Sequence, residues 1–235
     1  MMPFTRYIVS ILLALVFANG VVAQDSLQVK PVEDSVIVHP KEKRTAIILG
    51  TDYGKLATTA FNLDTKYEFN ASLIVFKRLR INIDFGHGAL QPKNAIENGS
   101  YTSTGDYYRG GLDYQFELAP KTYLALGGMY ATSKFSDEGN VQIQSDIWPS
   151  LNQSFMREDF TAQWAEFVLT SEKTFLNRES GFFANLYVGI KLRLRFLIER
   201  PKPENFDIYA IPGYGRTFNN VVPAVNLFVA YRISL

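Results

Sequence analysis

The 235-residue sequence has no cysteine, only two histidines, almost no net charge and no apolar run of transmembrane-helix length. Without cysteine there is no disulfide framework, no thiolate nucleophile and no cysteine-based zinc site. Lys and Arg number 24 against 23 Asp and Glu, for a formal charge of +1. A balanced chain lacks the clustered cations that nucleic-acid binding rests on. The two histidines, His39 and His87, have no companions at ligand spacing, so no metal signature is present. Disorder is disfavoured as well, because 47% hydrophobic residues with little net charge can bury a core. No nucleotide-cradling glycine loop occurs, since Gly110-Gly111 sits inside an alternating segment with no helix after it. No cofactor is therefore expected.

The chain does carry an N-terminal address. Arg6 is the only charged side chain in the first 23 residues, and an apolar run from Tyr7 to Ala18 follows it. Asn19-Gly20 ends the run, and small residues at Val21-Val22-Ala23 precede Gln24. This is the layout of a secretory signal peptide, predicted over 1–23. The apolar core is shorter than the roughly 20 residues a spanning helix needs. Residues 24–44, with Pro31, Pro40 and a charged cluster from Lys41 to Arg44, read as a polar periplasmic leader. One domain is expected over 45–235.

Period two dominates that domain. From Ala184 to Phe196, apolar residues fill every second position, while Tyr187, Gly189, Lys191, Arg193 and Arg195 lie between them. A helix would scatter those three cations around its circumference, whereas a strand gathers them on one face. The same alternation runs through 67–75, 79–86, 108–117 and 227–235, and more weakly through 46–56, 122–135 and 160–172. Eight strands are predicted, with no amphipathic helix between them. The joints at 57–65, 89–104, 136–159 and 198–220 are longer than those following them at 76–78, 118–121 and 173–181. In an up-and-down meander, alternate joints share one end, so one end carries long loops and the other tight turns.

Three features orient the faces of this sheet. The apolar stripe of the seventh strand spans thirteen residues, which at ~3.3 Å per residue and a tilt of roughly 45° projects to about 28 Å. The opposite parity is charged and balanced, with Arg80, Arg109, Lys191, Arg193, Arg195 and Arg232 against Asp52, Glu68, Asp84, Asp113, Glu117 and Glu166. Small residues share that parity, as a narrow interior requires. The last strand also runs to Leu235, placed to close against the first. These features predict an all-β, eight-stranded antiparallel up-and-down transmembrane β-barrel, lipid outside and charge within. A secreted soluble barrel holding an apolar ligand is the inside-out alternative.

Signal peptide, eight alternating strands, one long-looped end and the absence of cysteine together resemble the small OmpX/OmpA-type outer-membrane barrels. The segments Gly50-Thr51-Asp52, Trp164-Ala165-Glu166 and Ile211-Pro212-Gly213-Tyr214-Gly215 are similar in style to uncharacterised Bacteroidetes-type outer-membrane barrels. The resemblance covers 45–235 and implies location in the bacterial outer membrane, contact with its lipid and a monomeric state. It departs at the end of the chain, which finishes in leucine where such barrels usually finish in an aromatic residue.

The chemistry-bearing residues are then read as follows. The twelve charges named above form a salt-bridged plug, because a buried charge left unpaired costs several kcal/mol by order of magnitude. Glu166 is the expected partner of Lys191, Arg193 and Arg195, and Trp164 is expected to face inward beside it. His87, in Phe85-Gly86-His87-Gly88, is expected to point outward at a loop-side strand end. That resembles the position of the catalytic histidine in outer-membrane lipid A-modifying enzymes, although neither a nucleophile nor an orienting acid is evident from the sequence. Residues 136–159 and 198–220 read as solvated connectors, with surface-ligand recognition as the functional alternative. The expectation is a non-enzymatic barrel with a structural or surface-recognition role. The runner-up is a lipid-modifying enzyme using His87.

Overall fold

A computed structural model describes residues 45–61, 64–92, 95–96, 98–143, 151–176, 181–203 and 207–235. The predicted signal peptide and leader lie outside the described residues. Eight strands close a barrel: β1 (Ala46–Asp52), β2 (Thr65–Val75), β3 (Leu79–Leu90), β4 (Gly99–Ala119), β5 (Thr122–Ile143), β6 (Leu151–Thr174), β7 (Leu186–Glu199) and β10 (Val221–Ser234). Two short strands, β8 (Ala210–Ile211) and β9 (Gly215–Arg216), pair with each other between β7 and β10. Every neighbouring pair in the ring is antiparallel, and β10 closes on β1 through Ala46↔Ser234 to Asp52↔Phe228.

The register fixes the barrel's dimensions. Partners followed round the ring from Ala46 are Ile74, Arg80, Asp113, Gly127, Val168, Arg193 and Ala224. That path ends ten residues short of Ser234, the direct partner of Ala46 in β10. A stagger of ten over eight strands gives a tilt of about 40° and a backbone radius of about 8 Å. Such an interior has room for side chains and little else.

The predicted parity holds along each strand. On β3, Arg80, Asn82 and Asp84 are buried, while Leu79, Ile81 and Ile83 are exposed. On β7, Lys191, Arg193 and Arg195 are buried between exposed Ile190, Leu194 and Phe196. The outward residues from Tyr108 to Leu118 on β4 are Gly110, Leu112, Tyr114 and Phe116, a stripe about 25 Å tall at that tilt. Charge-free stripes of the same ten-residue length run up β2 (Thr65 to Val75), β5 (Thr122 to Thr132) and β10 (Pro223 to Ile233).

Several boundaries differ from the sequence expectation. The seventh strand, expected from Ala184, begins at Leu186, because Phe182–Asn185 form a 3-10 turn that buries Ala184. The strand predicted over 46–56 ends at Asp52, where helix α1 (Tyr53–Ala60) begins. The Asp52 carboxylate accepts the Lys55 backbone N–H at 3.0 Å, a helix cap that outweighs the short continuation of period two. Of the joints expected at 89–104 and 136–159, residues 89–90, 99–104, 136–143 and 151–159 are strand, and 144–150 lie outside the described residues. The strands β5 and β6 run 22 and 24 residues, well past the apolar belt. On β5 the extension alternates exposed Lys134 and Glu138 with buried Phe135 and Asp137, so its outward face is polar, and a bulge in β6 between Arg157 and Phe160 resets the parity of that strand. The alternation therefore fades although backbone pairing continues.

Candidate functional site: a buried ionic interior

The buried charges converge on Glu166, which β6 points inward. One carboxylate oxygen accepts from Arg109 Nε at 2.8 Å and from Trp164 Nε1 at 2.7 Å, and the other accepts from Arg193 Nη1 at 2.6 Å. Arg195 Nε lies 3.5 Å from the same group. Across the barrel, Glu68 takes Arg109 Nη1 at 2.6 Å and the Tyr107 hydroxyl at 2.8 Å, and it also pairs with Lys55. Asp84 joins Arg193 Nη2 at 2.6 Å and Lys191 Nζ at 3.7 Å. A separate pair, Arg80 Nη1 to Glu172 at 3.0 Å, lies nearer the tight-turn end, with Asp113 buried opposite Arg80 in the register. Opposite charges on facing strands let the Arg109 and Arg193 guanidinium forks each bridge two carboxylates, the geometry in which ion pairs are strongest.

Ten of the twelve sequence-predicted charges are thus buried inside the barrel: Asp52, Glu68, Arg80, Asp84, Arg109, Asp113, Glu166, Lys191, Arg193 and Arg195. Asp52 is bound up with the α1 cap and with Asn226 Nδ2 at 2.5 Å. Glu117 is a correction. It is exposed, because inward parity at the tight-turn rim leads to solvent and the ladder shifts register between Glu117 and Ala119. Arg232 sits at the same rim, half-buried, with its guanidinium carbon 4.3 Å above the Tyr123 ring, and it takes no carboxylate of the network. Lys191 pairs with Asp84 in place of Glu166.

Sequence reasoning missed Glu172 and Lys55. The first lies at the end of a faint alternation, and its parity with Glu166 was the available signal. The second was hidden by the helix. Burial is the main force lowering the Lys55 amine to about 8, helped by Arg109 and Arg195 and opposed by Glu68.

The 198–220 joint is the larger correction. It does not form a solvated connector, because residues 207–217 fold back into the long-looped mouth of the barrel. Ile208, Ile211 and Tyr214 are at most 1% exposed and pack on Tyr107, Ala131, Phe135, Ala162 and Trp164. The Tyr214 ring meets Trp164 edge-on at 5.8 Å. Two backbone carbonyls then cap the ionic layer, Gly213 O accepting from Arg109 Nη2 at 2.9 Å and Tyr214 O from Arg195 Nη1 at 2.8 Å. Glycine is required at 213, where φ is +81° and a Cβ would come within 2.4 Å of the Tyr107 ring. The apolar residues of Ile211-Pro212-Gly213-Tyr214-Gly215 were the available sequence signal for this insertion.

His87 does acquire an orienting acid. Its Nδ1 lies 2.7 Å from Asp106 Oδ1 on the paired strand, and its ring stacks on Tyr67 with centroids 5.2 Å apart. Among the described residues, no three metal-ligating side chains converge.

Comparison with known proteins adds the following. The N-terminal β-barrel domain of Pseudomonas aeruginosa OprF is similar at 11% identity, covering 81% of this chain and 98% of that one, with a TM-score of 0.33. No protein of curated function matches. The sequence pattern of a domain of unknown function (DUF6048) matches residues 4–235, and the chain belongs to that family.

Proposed function

We propose that this chain is a non-enzymatic barrel of the bacterial outer membrane, sealed by its own side chains and presenting its long-looped end at the cell surface. The observation that carries the reading is the polarity of the closed barrel. Its interior holds the ion-pair network, while charge-free apolar stripes face outward over about 25 Å, the height of a membrane barrel's apolar band. A soluble barrel would expose that belt to water, and an apolar ligand would have no place among buried arginines. With residues 207–217 turned inward, α1 and the β4–β5–β6 extension are, among the described residues, the surface available to a ligand.

The test is gel mobility of boiled and unheated protein from an isolated outer-membrane fraction. A compact species that changes mobility only on boiling supports the reading. Absence from that fraction, with equal mobility in both lanes, rejects it.

The His87–Asp106 pair specifically favours a second reading. A histidine oriented by a carboxylate at the belt's upper edge has the makings of a general base for hydrolysis of a lipid acyl ester. Lipid A chain lengths in cells carrying His87→Ala decide this. An acyl pattern identical to that of the parent removes the enzyme.

A further inference from the structure

A second feature of the mouth borders the plug and shares Lys55 and Arg195 with it. Between the inserted segment and the β2–β3 wall lies a cavity of about 100 Å³. Its charged walls are Lys55, Lys66 and Arg195, with His87 at one side and no carboxylate among the lining residues. The acids that partner these groups stand outside the lining. Glu68 lies beyond Lys55, Asp64 bonds Lys66 Nζ at 2.6 Å, and Glu166 is 3.5 Å from Arg195 Nε.

Two glycines leave the space open. A Cβ at Gly88 would lie 3.7 Å from Pro212 and 3.9 Å from Lys66 Cγ, and one at Gly215 would lie 4.0 Å from Arg195 Nη1. The inserted segment holds the Arg195 guanidinium in place through Tyr214 O at 2.8 Å.

We infer that this niche binds a tetrahedral oxyanion, a phosphate or the phosphate end of a monoester, between Lys55, Lys66 and Arg195. Three cations from α1, β2 and β7 surround one small volume, an arrangement that suits an anion offering several acceptor oxygens. The volume admits the phosphate group and excludes the body of a sugar phosphate or lipid, which would extend out of the mouth. Burial is the main cause of the lowered Lys55 amine, with Arg109 and Arg195 adding to it against Glu68, and a bound oxyanion would favour its charged form. His87, at the rim, also marks the upper edge of the apolar belt. Free inorganic phosphate and the phosphate of a surface lipid are therefore both sources of the same chemistry. The site itself does not depend on the membrane assignment.

The experiment uses the full chain folded in neutral detergent, with Lys66→Met and Gly88→Leu as variants. The first removes a rim cation outside the ionic core, and the second fills the niche from a strand position without positive φ. Compact unheated mobility is the check on folding for each. Inorganic phosphate is titrated by calorimetry, and vesicles of phosphatidylcholine with or without phosphatidic acid form the second arm. Phosphate binding weakened at least tenfold by both variants supports a free-anion site. No phosphate binding, but a rise in unfolding temperature with phosphatidic acid that both folded variants lose, assigns the niche to a lipid phosphate. If neither probe separates the parent from a folded variant, the inference is overturned.

Discussion

Replacing Glu166 by glutamine keeps the side chain's shape and removes one negative charge from the centre of the network. Arg109 and Arg193 each donate directly to this carboxylate, and Arg195 lies 3.5 Å away. Glutamine preserves an acceptor for Trp164 Nε1 but turns an amide donor toward one guanidinium. Three buried cations are left sharing Glu68 and Asp84. Removing one partner of a buried ion pair typically costs about 3–5 kcal/mol, and none of this is recovered by hydration in so narrow an interior. Glu166→Gln should therefore lower stability by about 4 kcal/mol. Arg193→Met alone should cost a similar amount, because it takes one guanidinium from Glu166 and the nearest cation from Asp84 together. The double variant removes one charge of each sign and should cost well below the sum of the two. Guanidinium unfolding of protein refolded into phospholipid vesicles, followed by the compact band on unheated gels, measures all three. Additive losses, or a Glu166→Gln cost under about 1 kcal/mol, would refute a coupled network at this site.

Leu112, 55% exposed in the middle of the outward belt, distinguishes membrane from water. Leu112→Arg should destabilise the vesicle-embedded barrel by about 2–4 kcal/mol, whereas near-neutrality would place this face in solvent. Gly213→Ala forces a side chain against Tyr107 at positive φ, which should expel the inserted segment and make Arg216 a fast trypsin site in folded protein. Unchanged digestion kinetics would contradict the insertion. The parent protein should show no steady conductance in planar bilayers, and a persistent open level would contradict the seal. Lys55 titrates near 8 in the folded chain instead of at 10.5. Between those values the unfolded chain holds a proton that the folded chain has lost, so this group makes stability rise with pH across that window. The groups facing it are Asp52, Glu68, Tyr107, Arg109 and Arg195. The increment should be present in the parent and absent in Lys55→Met when denaturation midpoints at the two ends of the window are compared.

The barrel and its polarity were legible in the chain because a strand's side chains alternate by stereochemistry, with no help from distant residues. Thirteen alternating residues around Lys191, Arg193 and Arg195 specify a strand and also which face is charged. The parity of Trp164 and Glu166 followed from the same rule. What faded was the alternation beyond the belt, where the outward face of β5 carries Lys134 and Glu138 and the inward face mixes Phe135 with Asp137. Asp52 read as one more inward residue, yet it also caps a helix that redirects Lys55 into the mouth.

Sequence alone therefore determined the eight-stranded alternation and the balance of charge on one parity, since both are local properties of a strand. Only the tertiary structure decided which cation meets which carboxylate, because partners such as Arg193 and Asp84 lie 109 residues apart and meet through the barrel's stagger. It also decided that the Ile208–Thr217 segment lies inside the mouth. That segment is too short and irregular for periodicity, and its burial depends on the aromatic and ionic surfaces that the other strands assemble.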